Sequence, residues 1–157
     1  MDLKILIRSD NKKVESLGEW KQGHIPRSSF PMSKVANKQF KYGKSYSWRV
    51  VKLNIEKYEC RILLLLNEEK QIFRARLGVE VEGDMRVMCE HEWHASEPGW
   101  HCHINRKTID ETYPGQVRGG TYRWPKQIVH DMFQINRGNA VDKAFTVYNV
   151  NVSGTLL

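Results

Sequence analysis

The sequence lacks what would place it in a membrane or an oxidising compartment. Its longest apolar run, Ile62 to Leu66, has five residues, against the ~20 that a membrane-spanning helix needs. No membrane partner is therefore expected. Met1 to Ile7 is too short for a secretory leader and carries Asp2 and Lys4. Three cysteines, an odd number, do not make a disulfide framework. These absences together point to a reducing, cytoplasmic setting. The sequence also contains no Walker A loop, no Gly-x-Gly-x-x-Gly turn and no His-Glu-x-x-His pair. A two-histidine phosphoesterase would need two His-x-Ser/Thr motifs, and only His94-Ala-Ser96 matches. Repeats, low-complexity tracts and linker-like stretches are missing too. The 157 residues therefore read as a single domain, long enough for one core.

Acidic residues are in the minority, 18 against 25 Lys and Arg, for a net charge of +7. Such a balance favours anionic partners, above all nucleic acid or a nucleotide. A protein partner, or a merely basic surface, is the bland alternative. The charge is uneven. Residues 21–57 hold nine Lys/Arg against one acid, a segment charge of +8. Residues 59–103 hold five against nine, giving −4, and residues 104–126 five against two, giving +3. In the first basic segment Lys34, Lys38, Lys41, Lys44 and Arg49 alternate with Tyr42, Tyr46 and Trp48. Lysines can track phosphates while aromatics stack bases, so these five cations are the candidate nucleic-acid contacts.

The fold class follows from period-two alternation in the middle of the chain. Strands are predicted over Ser47–Ile55, Cys60–Leu66, Gln71–Val81, Met85–His94 and Trp100–Asn105. The breaks between them are short and polar, which suits antiparallel hairpins and excludes parallel crossovers. Leu3–Ile7 reads as a further short strand, and Ser9–His24 as a loop. Met32–Phe40 reads as a short helix. Pro125 opens a helix with the stripe Ile128, Val129, Met132 and Phe133. Asn139 caps a second, with Val141, Ala144, Phe145 and Tyr148 at helical spacing. The expectation is an α+β protein: an antiparallel meander of about five strands with two C-terminal helices packed on one face.

Alternation also sorts the side chains. One face carries Phe73, Ala75, Leu77, Val79, Val81, Val87, Cys89, His91, Trp93, Trp100, Cys102 and Ile104, and is expected to be buried. The other carries Arg74, Arg76, Glu80, Arg86, Met88, Glu90, Glu92, His94, His101 and His103. It is expected to be open or to line a groove.

The stretch Cys89–His103 concentrates the chemistry, with four of the six histidines, two of the three cysteines and two of the five tryptophans. If Ala95–Gly99 forms the hairpin loop, His94 stands opposite His101 and Glu92 opposite His103. Directly opposed side chains lie about 5 Å apart at Cβ, so Glu92, His94, His101 and His103 form one patch. Three readings of it stay open. His94, His101 and His103, with Glu92, suit a divalent metal such as zinc with one open position. Alternatively, the histidines perform metal-free acid–base work on a phosphodiester, with Arg74, Arg76, Lys107 and Arg118 contacting phosphate. The third reading is a polar face that binds nothing. His91 falls between Cys89 and Trp93 on the apolar face, where a hydrogen-bonded core histidine is the ordinary role. Cys89, Cys102 and His91 together could form a structural metal site. Without a Cys-x₂₋₄-Cys knuckle, two small buried thiols are the default. The functional expectation is a phosphodiesterase or nuclease, histidine-based or metal-dependent. A non-catalytic nucleic-acid-binding or inhibitor protein is the alternative.

Overall fold

A computed structural model describes residues 1–26, 29, 45–94, 97–104, 106–112, 120–122 and 134–151, with the side chains of 97–100 and 120–122 left out. Its centre is an eight-stranded antiparallel sheet. Five strands match the meander expected from the sequence: β3 (Ser47–Ile55), β4 (Tyr58–Asn67), β5 (Ile72–Val81), β6 (Asp84–His94) and β7 (Glu97–Ile104). Three short strands extend it: β1 (Lys12–Ser16) and β2 (Lys21–Gln22) both pair with β3, and β8 (Gly120–Tyr122) pairs with β7. Two helices flank it in sequence, α1 (Leu3–Arg8) and α2 (Ala140–Val147). The chain is therefore α+β. None of its described helices is long and apolar enough to cross a membrane.

Two expectations at the N-terminus are corrected. Leu3–Ile7 is helical, not a strand. The Asp2 carboxylate accepts from the backbone N–H of Lys4 at 2.8 Å and of Ile5 at 3.4 Å, the ordinary N-cap arrangement. Leu3, Leu6 and Ile7 are buried while Ile5 is 62% exposed. That is a helical stripe, which five mostly apolar residues cannot distinguish from a strand. The loop expected over Ser9–His24 contains β1 and β2. Val14 is the one buried residue of β1, so no alternation announces it. Between them Gly18 has φ +63°, and a Cβ there would lie 2.3 Å from the Val50 carbonyl oxygen. Only glycine lets the chain pass so close to β3.

The Lys12 ammonium ties the two ends of this region, donating to the carbonyls of Ile7, Ser9 and Asn149. Partial burial is the main influence on it and draws it down to about 8 from its ordinary 10.5, with Asp10 pulling the other way. A lowered lysine holds its proton less well folded than unfolded. Its contribution to stability therefore improves as pH rises from about 8 to 10.5. Denaturation midpoints across that window are expected to rise for the natural protein relative to Lys12→Met. Parallel pH profiles for the two would refute this.

Both sheet faces are buried over the central strands. The main core contains Val51, Leu53, Ile55, Ile62, Leu64, Leu66, Phe73, Ala75, Leu77 and Val79, with Leu3, Leu6 and Ile7 of α1 and Ala140, Ala144 and Phe145 of α2. The opposite face holds a second cluster of Ile25, Trp48, Val50, Leu63, Leu65 and Val87. Beside it Arg76, Glu90, Glu92 and His103 are buried as well. The expectation of an open polar face is overturned for these four. A bulge between Leu77 and Gly78 explains a second difference. It reverses the side assignments across it, so Met88 joins the main core and Val87 the opposite cluster.

Helix α2 starts after Asn139 as expected, but without a side-chain cap. Asn136 and Asn139 instead exchange backbone-to-side-chain hydrogen bonds at 2.9 and 3.0 Å. The helices expected over Met32–Phe40 and after Pro125 lie outside the described residues.

Candidate functional site

Strand β6 ends at His94 and β7 begins at Glu97. His94 pairs with Glu97, and beyond a bulge Trp93 pairs with Trp100, Glu92 with His101, His91 with Cys102 and Glu90 with His103. The expected pairing of His94 with His101 and Glu92 with His103 is therefore two residues out of register. Pro98 and Gly99 belong to the strand, not to the loop. A slip of two residues keeps every side chain on its face, so the patch survives with different partners.

Glu92 is its centre. The His101 Nε2 lies 2.9 Å from Glu92 Oε2, the His103 Nε2 3.3 Å and the His94 Nε2 3.9 Å. Adjacent imidazoles meet edge to face, at 4.9 Å between the His94 and His101 centroids and 5.3 Å between His101 and His103. Glu92 is 2% exposed, whereas His94 and His101 keep 20% and 16%. The cluster thus meets solvent through those two rings.

Behind it lies a layer of opposed charges. Arg74 faces Glu92 across β5 and β6, 3.7 Å from Nε to Oε1. Arg76 faces Glu90, with a 2.6 Å Nε to Oε2 hydrogen bond and a second contact from Nη2. Burial is the largest influence on Glu90, and Arg76 pulls against it. The neighbouring Glu92 adds to the rise, and the carboxyl reaches about 7. A buried carboxyl beside another carboxylate keeps its proton to higher pH for this reason.

On the other face of the same strands Cys89, His91 and Cys102 are core, as expected. Burial pushes the Cys89 thiol up, but hydrogen bonds from Cys102 and His91 outweigh it and bring it to about 5. Cys102 moves the opposite way, held up by its hydrogen bond to Cys89 and by burial. Tyr148, at the end of α2, joins them. Its ring packs edge to face on His91 at 4.7 Å between centroids. No local pattern links Tyr148 to this group; helical spacing showed only that it would be buried.

The other sequence candidates fall in separate places. Arg76 is closed inside its ion pair at 3% exposure, and Arg74 keeps 27%. Lys107 is exposed on the segment joined to the N-terminus by the Asp2–Thr108 bridge. Arg49 donates to the Leu17 carbonyl at 2.7 Å and sits over the Trp20 ring. Lys34, Lys38, Lys41, Lys44 and Arg118 lie outside the described residues. Glu90 shares the face of Glu92, so the alternation that found Glu92 could have added it to the site. A cleft of about 380 Å³ bordered by Lys52, Arg61, Glu80 and Asp84 contains none of the histidines. Comparison with models of known families, with curated proteins and with solved structures finds no match.

Proposed function

We propose that the protein is a divalent-metal-dependent enzyme acting on a phosphodiester, in nucleic acid or a nucleotide, with Glu92, His94 and His101 as metal ligands. The observation that carries this reading is the convergence of imidazole nitrogens on one buried carboxylate oxygen. One donor atom from each of the three residues lies within 4.8 Å of the others. Tetrahedral zinc with nitrogen and oxygen ligands separates its donors by about 3.3 Å. The 2.9 and 3.9 Å separations from Glu92 to His101 and His94 bracket that value.

Three protein ligands leave one position for water, as in catalytic rather than structural zinc sites. A metal held there would lower the pKa of bound water and polarise a phosphoryl oxygen. His103, 3.3 Å from Glu92 Oε2, orients the carboxylate. Arg74, the partly exposed cation against Glu92, is placed to meet phosphate charge. The net charge of +7 favours an anionic substrate.

Elemental analysis of the untagged protein, with hydrolysis of an activated phosphodiester, tests the reading. His101→Ala is expected to lower bound metal by about one equivalent and abolish hydrolysis. His103→Ala is expected to weaken metal affinity by about 10–100-fold, the usual effect of losing an orienting partner. Metal content and hydrolysis both unchanged in His101→Ala would end the proposal. Hydrolysis lost without any change in metal would transfer it to metal-free acid–base catalysis by the histidines.

A further inference from the structure

We infer that Cys89, His91 and Cys102, closed by Tyr148, form a second metal site, buried between the sheet and α2, that binds a zinc-like divalent ion as a structural cross-link. The site stands independently of the histidine cluster on the opposite face. Donor atoms of the two thiols and the imidazole all lie within 4.8 Å of one another. Cys102 Sγ is 3.8 Å from His91 Nδ1. Two donors on one tetrahedral zinc, a thiolate at 2.3 Å and an imidazole at about 2.0 Å, are separated by about 3.6 Å. The observed spacing needs only a few tenths of an ångström of adjustment.

Tyr148 supplies the fourth donor. Its hydroxyl donates to the Ala75 carbonyl at 2.6 Å. The proton is thereby committed, and the Oη lone pairs are left to face Cys89 Sγ at 3.7 Å. Cys89 and His91 come from β6, Cys102 from β7 and Tyr148 from the end of α2. No Cys-x₂₋₄-Cys knuckle is needed, because strand pairing and the returning helix bring the donors together.

Charge balance favours this ion in this place. Cys89, His91, Cys102 and Tyr148 are each 1% exposed or less, and an uncompensated ion is costly there. As the chain folds around a divalent cation, the thiols of Cys89 and Cys102 release two protons to solvent, and two thiolates remain. The complex is neutral overall, with no change of oxidation state. Since all four side chains are buried in the folded chain, loading accompanies folding.

The test uses full-length protein, unfolded with chelator under reducing conditions and refolded with Co²⁺ alone. Near-ultraviolet thiolate-to-cobalt charge-transfer absorption is expected in the natural protein. It should persist in Cys60→Ala and in His101→Ala, and be lost in Cys102→Ser. Persistence in His101→Ala separates this site from the proposed catalytic one, so either can fail alone. Cobalt refolding is also expected to raise the thermal midpoint over chelator-refolded protein. Folded natural protein that shows no thiolate absorption after this treatment overturns the inference without recourse to any variant. Absorption that disappears in Cys60→Ala overturns it as well.

Discussion

Arg76→Met is expected to destabilise the protein by about 3–5 kcal/mol at pH 8, the range for removing one partner of a buried ion pair. Arg76 and Glu90 are 3% and 1% exposed. They face each other across β5 and β6, where the sheet is buried on both sides. Methionine replaces the volume of the arginine stem, so the change isolates the charge. The carboxylate left behind is buried, and Glu92 beside it repels it.

The loss should shrink in acid. Glu90 is already raised to about 7 from its ordinary 4.5, and without Arg76 it rises further. A raised carboxyl binds more protons folded than unfolded, so stability falls as pH increases from 4.5 through the folded value. The groups facing Glu90 are Arg76, Arg74, Glu92 and His103. Arg76→Met/Glu90→Met should recover most of the loss, because a packed apolar pair replaces a buried ionic one at little cost. Urea titrations of the single and double variants at pH 5 and pH 8 provide the measurement. A single-variant cost below about 1 kcal/mol at pH 8 would show that the pair is not closed from solvent.

Phe73→Ala is the second large effect, at about 3–5 kcal/mol for deleting a fully buried aromatic side chain. Phe73 is 0% exposed. It sits on β5 between Leu66 of β4 and Trp93 of β6, one residue before the Arg74 that contacts Glu92. Central strands cannot collapse around a cavity as an edge can, so most of the lost contact remains unrepaired. Ile5→Ala is the contrasting change. Ile5 is apolar but 62% exposed on α1, and its loss should cost about 0.5 kcal/mol or less. Thermal unfolding separates the two, since 1 kcal/mol shifts a chain of this size by about 2–4 °C. Equal shifts at both positions would contradict the placement of α1.

The five-strand meander was legible because hairpin strands with short polar breaks leave a period-two record in the chain. Ser47–Ile55 matches β3 at both ends. The short strands β1 and β2 left no such record. β1 buries one side chain, β2 buries none, and backbone pairing with β3 holds them. The candidate site was legible for the same reason as the meander. Glu92 and His94 share a face by alternation alone, as do His101 and His103, and no slip of two residues can separate the two pairs.

What the sequence by itself determined is therefore the order of the central strands and which side chains travel together on each face. Tertiary structure decided the rest. Pairing between strands set the register that gives Glu92 to His101 rather than to His103. The bulge that leaves Met88 of β6 without a partner on β5, where Leu77 pairs with Cys89 and Gly78 with Val87, exchanged the faces of Val87 and Met88. The closing of both faces turned an expected open groove into a buried layer of ion pairs that meets solvent at His94 and His101. Alternation is a local property of the backbone, whereas burial depends on what packs above a face. That is also why Tyr148 could reach Cys89 and His91 with nothing nearby in the chain to announce it.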